Sequence, residues 1–155
     1  MPLLSRAIFG IVRWKSRRGL TVTTTDDSAK QRARRRGVAG ETYAYWYLRR
    51  HGYVFVARNY RVPEDKAEID LIGYDHGVLA FVEVKTRSGT DDRPGLPEEA
   101  VTGAKRFYIE RVARRFLAER RTPGTSWRFD VVAIENRTGH SPDIRLYKNA
   151  FTPAH

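Results

Sequence analysis

Between Ala67 and Lys85 the chain runs Ala-Glu-Ile-Asp-Leu-Ile-Gly-Tyr, turns through Asp75-His76-Gly77, and continues Val-Leu-Ala-Phe-Val-Glu-Val-Lys. Two runs rich in Ile, Val, Leu and Phe, alternating with other residues about a His-Gly pair, specify an antiparallel hairpin. Side chains alternate between faces along a strand. Glu68 and Asp70 therefore share one face of the first strand, and Glu83 and Lys85 share one face of the second. With His76 and Gly77 as a two-residue loop, Asp70 falls opposite Glu83 and Glu68 opposite Lys85. Directly opposed residues have Cβ atoms about 4.5–5.5 Å apart, and like charges placed so destabilise a sheet. A positive group is expected between Asp70 and Glu83. Two converging carboxylates suit a hard divalent cation, Mg2+ or Mn2+, which takes oxygen ligands and keeps waters that a substrate phosphate can replace. Lys85, two residues beyond Glu83, is placed to neutralise a phosphate oxygen or to position the attacking water.

The remainder of the chain frames this hairpin. From Val38 to about His51, residues Ala44, Tyr47, Leu48 and His51 recur at helical spacing, and Gly52 supplies a stop. Tyr53 to Arg61 is rich in β-branched and aromatic residues and predicts the first strand, and Val62 to Lys66 a turn. Thr86 to Gly95 has the composition of a mobile loop. A second helix is predicted from about Pro97 to Arg120, with Val101, Ala104, Tyr108, Val112 and Phe116 facing the core. Trp127 to Ile134 predicts a fourth strand, Asp143 to Tyr147 a short last one, and Asn149-Ala150-Phe151 closes the domain. The fold class is α/β, with a mixed sheet of four or five strands, an antiparallel hairpin at its centre and flanking helices. Residues 37–155 form that domain, and residues 1–36 a basic N-terminal extension expected to be disordered or loosely attached.

Charge narrows the class of partner. Lys and Arg total 29 against 18 Asp and Glu, a net charge of +11. Such an excess favours polyanions through counterion release, so nucleic acid is the leading partner, with an anionic membrane surface behind it. There are no cysteines, which excludes disulfides and thiolate metal sites. The four histidines, His51, His76, His140 and His155, have no helical ligand spacing, which argues against zinc. The apolar piece Ala7 to Val12 is far below the roughly 20 residues that span a bilayer, and no small-residue cleavage site follows it. No membrane partner and a cytoplasmic location are expected.

Asp70 followed by Glu83-Val84-Lys85 on the next strand resembles the PD-(D/E)xK signature of the restriction-endonuclease-like fold. More narrowly, a series of motifs looks like the YraN-like family of uncharacterised bacterial proteins, itself similar to archaeal Holliday-junction resolvases. The series is Gly37-x-x-Gly40-Glu41, Gly52-Tyr53, Arg58-Asn59-Tyr60-Arg61, Glu68-Ile69-Asp70-Leu71-Ile72, Phe81 to Arg87, Lys105, Arg128 to Val132 and Asn149-Ala150-Phe151. It runs from about Gly37 to Phe151. Two departures stand out: Ala67 occupies the position where the family usually has Gly, and Met1 to Arg36 lie outside the likeness. The resemblance implies a nuclease with Asp70, Glu83 and Lys85 as catalytic residues, and a homodimer by analogy with resolvases. It also implies that Glu41, on the first helix, joins Asp70 and Glu83 as a metal ligand. Physically, Glu41 equally complements the positive end of its helix, worth about 0.3–1 kcal/mol.

Other residues keep two readings. Thr86 and Arg87 follow the catalytic strand and are candidates to meet nucleic acid. Arg58, Tyr60 and Lys66 either touch phosphate or decorate an exposed strand and loop. Lys105 lies near the N-terminal turn of its helix, where the dipole disfavours a cation; with the resemblance, this suggests a second substrate-facing charge. The arginines 106, 111, 114, 115, 120 and 121 read as a solvated face that attracts DNA weakly. Asp130, between apolar neighbours, needs a partner, and an arginine or a backbone amide is favoured over a metal role. Glu68 either assists the acids or pairs with Lys85. The expected function is a metal-dependent endonuclease acting on DNA, including branched or repair and recombination intermediates. The alternatives are a nucleic-acid-binding protein of the same fold without turnover, and a protein-interaction subunit.

Overall fold

The computed structural model describes residues 2–16, 28–88, 101–137 and 139–152. Helices α1 (Pro2–Ser16) and α2 (Ala29–Arg50) precede β1 (Val54–Arg61), β2 (Glu68–Asp75) and β3 (Val78–Ser88). Helix α3 (Gly103–Arg120) and strands β4 (Trp127–Asn136) and β5 (Asp143–Phe151) follow. The strands form one mixed sheet in the order β1-β2-β3-β4-β5, with β1–β2 and β2–β3 antiparallel. The Thr-rich run from Thr21 to Thr25, the loop from Gly89 to Gly95 and the expected helix start at Pro97 lie outside the described residues.

The chain divides into two compact units. One contains α1, α2, the C-terminal ends of β3 and β4 and the start of β5; the other contains β1, β2, the first parts of β3 and β4, α3 and the rest of β5.

In the first unit, α2 begins nine residues before Val38. Ser28 and Gln31 form a reciprocal capping box, and Ala29 to Arg36 are Ala, Lys, Gln and Arg, all good helix formers. Part of the extension expected to be loose is thus helical. The apolar piece Ala7 to Val12 lies within α1, whose Phe9 is buried with its ring 5.4 Å from Tyr43 and 6.0 Å from Tyr47 of α2. Gly40 of α2 lies so close to Thr86 of β3 that a Cβ there would stand 1.9 Å from the Thr86 hydroxyl.

The second unit has its core between the sheet and α3, built from residues that include Ile69, Ile72, Leu79, Phe81, Ile109, Val112, Phe116 and Phe129. Phe81 is its hub, with ring centroids 5.9 Å from Phe116, 5.7 Å from Trp127 and 5.8 Å from Phe129. The β2–β3 hairpin has the register the turn requires, Leu71 paired with Val82 and Asp75 with Val78. His76 and Gly77 both have positive φ, 48° and 87°, as a type I′ turn demands.

Candidate active site

Phe81 and Glu83 alternate onto one face of β3, and that face meets α3. Phe81 packs on Phe116 of that helix, while the Glu83 carboxylate accepts a hydrogen bond from the Lys105 ammonium. Glu83 is 5% exposed. A carboxylate so buried requires a partner of opposite charge or several donors. The ladder runs from Asp75–Val78 to Leu71–Val82, and the same register continued by one rung would set Asp70 across from Glu83. Asp70 is half-buried. The positive group expected at this rung thus has an occupant on the Glu83 side, and it is the ammonium of Lys105. The loop of Thr102 places it there: its hydroxyl caps the backbone amide of Lys105 and starts α3 at Gly103.

Strand β1 reaches the same level of the sheet from the other side of β2. Arg58 pairs with Leu71 and Tyr60 with Ile69, so Asn59 lies across from Asp70 in β1. Asn59 adopts φ 48° and donates from Nδ2 to Glu68 at 2.9 Å. Asparagine tolerates the left-handed region better than most residues. Glu68 also forms an ion pair with Arg61, its directly opposed neighbour. Its carboxylate is therefore engaged toward β1. Arg58 on β1 and Lys66 in the β1–β2 loop are both exposed, as either reading of them requires.

In the other unit, Lys85 and Thr86 are half-buried on β3 and Arg87 is exposed. Glu41 is half-buried on α2, next to the glycine that abuts Thr86. Among the described residues, no group of three or more His, Cys, Asp or Glu side chains is arranged to hold a metal ion. The donor set that the hairpin register itself supplies is a pair, Asp70 and Glu83. Two carboxylates leave coordination positions for water and phosphate, as Mg2+ sites commonly do, so the residues fit the ion the sequence suggests.

A second polar cluster, not foreseen from the sequence, lies at the turn end of the hairpin. Asp75 is 3% exposed and Asp130 0%. Arg128 donates to both, at 2.5 Å to Asp75 and 2.8 Å to Asp130. Lys148 donates to Asp75 at 2.6 Å, and Tyr53 and the Asn149 amide donate to Asp130 at 3.0 and 2.9 Å. Two acids are balanced by two cations, so the charges are compensated. Burial acts to raise the Asp75 carboxyl, but hydrogen bonds from Lys148, Arg128 and His76 outweigh it and hold it far below the usual carboxylate range. Burial, reinforced by the neighbouring Asp130, pushes the Tyr53 phenol well above its ordinary value. Asp130 has arginine and backbone partners, the arrangement favoured for it from sequence. The one sequence signal for Arg128 is its spacing of two from Asp130, which puts both on the same face of β4.

The sequence pattern of the uncharacterised protein family UPF0102 matches residues 40–134. The UPF0102 protein of Koribacter versatilis is 44% identical over 115 residues, covering 74% of this chain and 78% of that protein. That of Symbiobacterium thermophilum is 46% identical over 119 residues, covering 77% of this chain and 98% of that protein. The UPF0102 protein of Nocardia farcinica is 45% identical over 115 residues, covering 74% and 87%.

Proposed function

The chain belongs to the uncharacterised protein family UPF0102, and from that premise and its own residues we propose that it is a metal-dependent endonuclease of the restriction-endonuclease-like type. Its substrate is the phosphodiester backbone of DNA, including branched or repair and recombination intermediates. The observation that supports this reading is the hairpin register ending at Leu71–Val82, which continued by one rung would set Asp70 across from Glu83. Asp70 and Glu83 would hold Mg2+ or Mn2+, and the resemblance adds Glu41 to them. When bound, such an ion supplies Lewis acidity toward the phosphoryl oxygens. Lys85, two residues along β3 from Glu83, offsets the negative charge that develops on the phosphate in the transition state. Lys105 offsets the charge of Glu83, and with a cation held at Glu83 its ammonium would be available to a substrate phosphate.

The buried Asp75–Arg128–Asp130 cluster plays no part in this chemistry, because its charges are internally balanced. The net charge of +11 concentrates the polyanionic substrate around the protein. With pure protein and a panel of linear, nicked, flapped and four-way DNA, Mg2+- or Mn2+-dependent cleavage is expected on at least one substrate. Asp70→Ala and Glu83→Ala are expected to lower it by about 100-fold or more, the scale of losing a charge-stabilising group. A second reading is favoured by one observation: the buried Glu83 carboxylate is already paired with the Lys105 ammonium. In that case the chain binds nucleic acid without cutting it, and binding without cleavage across the panel supports this alternative.

A further inference from the structure

The outer face of α3 carries more than scattered charge. Phe107, Arg111 and Arg114 recur at helical spacing, with Arg115 beside them. Phe107 is 59% exposed and the Arg111 guanidinium lies 5.9 Å from its ring centroid. Singly exposed apolar residues are ordinary on a surface, but this one ends a row of arginines. Those arginines line one wall of a 530 Å³ cleft, whose other wall is Val62, Glu64 and Asp65 of the β1–β2 loop. That loop leads within five residues along the chain to Asp70.

Each of these arginines pairs with an acid. Arg111 pairs with Asp65 at 3.2 Å, Arg114 with Glu110 at 2.7 Å and Arg115 with Glu119 at 2.9 Å, while their side chains stay 52%, 56% and 61% exposed. Only the Arg115–Glu119 pair is exposed on both sides, and pairs of that kind contribute about 0–1 kcal/mol; Asp65 and Glu110 are 7% and 14% exposed. A phosphate oxygen, which accepts strong charge-assisted bonds from the planar guanidinium fork, displaces Glu119 at small cost and meets the exposed N–H groups of Arg111 and Arg114 without breaking their pairs. Glu119 is also bonded by the Tyr60 hydroxyl, so it keeps a partner when Arg115 turns away.

We propose that this face of α3 and its cleft bind a single-stranded stretch of nucleic acid, with a base stacked on Phe107 and adjacent phosphates on Arg111, Arg114 and Arg115. An aromatic ring within an arginine row suits an unpaired base and a flexible backbone, since stacking on a ring needs the base out of its duplex. The inference rests on the nucleic-acid reading of the active site and deepens it: a flap, gap or junction arm presents such a stretch beside the bond to be cut.

The test measures binding in EDTA, where no metal-dependent cleavage occurs. The probes are a labelled deoxythymidine oligomer of about 15 nucleotides and a duplex of equal length. Phe107→Ala is expected to weaken binding of the single strand by about 5- to 100-fold, to leave duplex binding within about twofold, and not to alter the salt dependence. Phe107→Trp retains the affinity. Arg114→Gln and Arg115→Gln are each expected to weaken binding and to reduce the slope of log K against log salt by about 0.7. Phe107 is exposed, so its variants fold, and unchanged thermal midpoints verify this. The inference is overturned if wild type does not bind the single strand, if Phe107→Ala binds it as wild type does, or if neither arginine variant changes the slope. Cleavage in Mg2+ reads the active site and binding in EDTA reads the Phe107 face, so failure of one is distinguishable from failure of the other.

Discussion

Asp75 and Glu83 are both buried acids on the central hairpin, and they differ in what satisfies them. Asp75 has three donors, two of them cationic, and its carboxyl is held far below the usual range. A depressed folded-state value means stability that is complete above the unfolded pKa of about 3.9 and is lost as pH falls toward the folded one. The urea midpoint is therefore expected to fall as pH drops from about 5 to about 2.5, and Asp75→Asn is expected to flatten that decline while lowering stability at neutral pH. A decline as steep in the variant as in wild type contradicts this assignment. Glu83 accepts a hydrogen bond from Lys105, whose ammonium offsets its charge. Lys105→Met is expected to destabilise the fold by about 2 kcal/mol, because it removes a charged hydrogen-bond donor from a buried acid. Added Mn2+ is expected to recover much of that loss; a fixed structural pair would show no such recovery. The register of the hairpin that carries Asp70 and Glu83 was legible from alternation and turn length alone. Asp75 and Arg128 were not, since they are 53 residues apart in sequence and no local pattern ties them.

At the scale of elements, the hairpin was readable because a two-residue turn leaves one register, and a slip by one residue would put every apolar side chain on the wrong face. The N-terminal part is helical over Pro2–Ser16 and from Ala29 onward, for an equally local reason in the second case. A run dominated by Arg and Thr looks like solvated coil, yet Ser28 and Gln31 hold the signature of a helix start, and α2 extends from them. Gly40, part of the motif series, now has a physical role in the close approach of α2 to Thr86. Gly40→Ala would force a shift despite the better helix propensity of alanine, and is expected to lower stability by about 1–3 kcal/mol. Thr86→Ala, by removing the hydroxyl, is expected to restore part of that loss in the double variant, as read from thermal midpoints in a mutant cycle. Simple additivity of the two substitutions would show that the contact is not tight.

For the molecule as a whole, the charge of +11 explains attraction to a polyanion but does not separate cutting from binding. That separation depends on whether the two acids of the hairpin rung receive a divalent ion. The sequence could place them opposite each other; it could not foretell that α3 brings an ammonium to one of them, because a helix and a strand 22 residues apart meet only through the fold. Direct titration of the free protein with Mn2+, followed by electron paramagnetic resonance, addresses the point without any substrate. The account predicts a Mn2+ site that is lost in Asp70→Asn and in Glu83→Gln and kept in Asp75→Asn. Equal Mn2+ binding by all four proteins, or none by wild type, would contradict it.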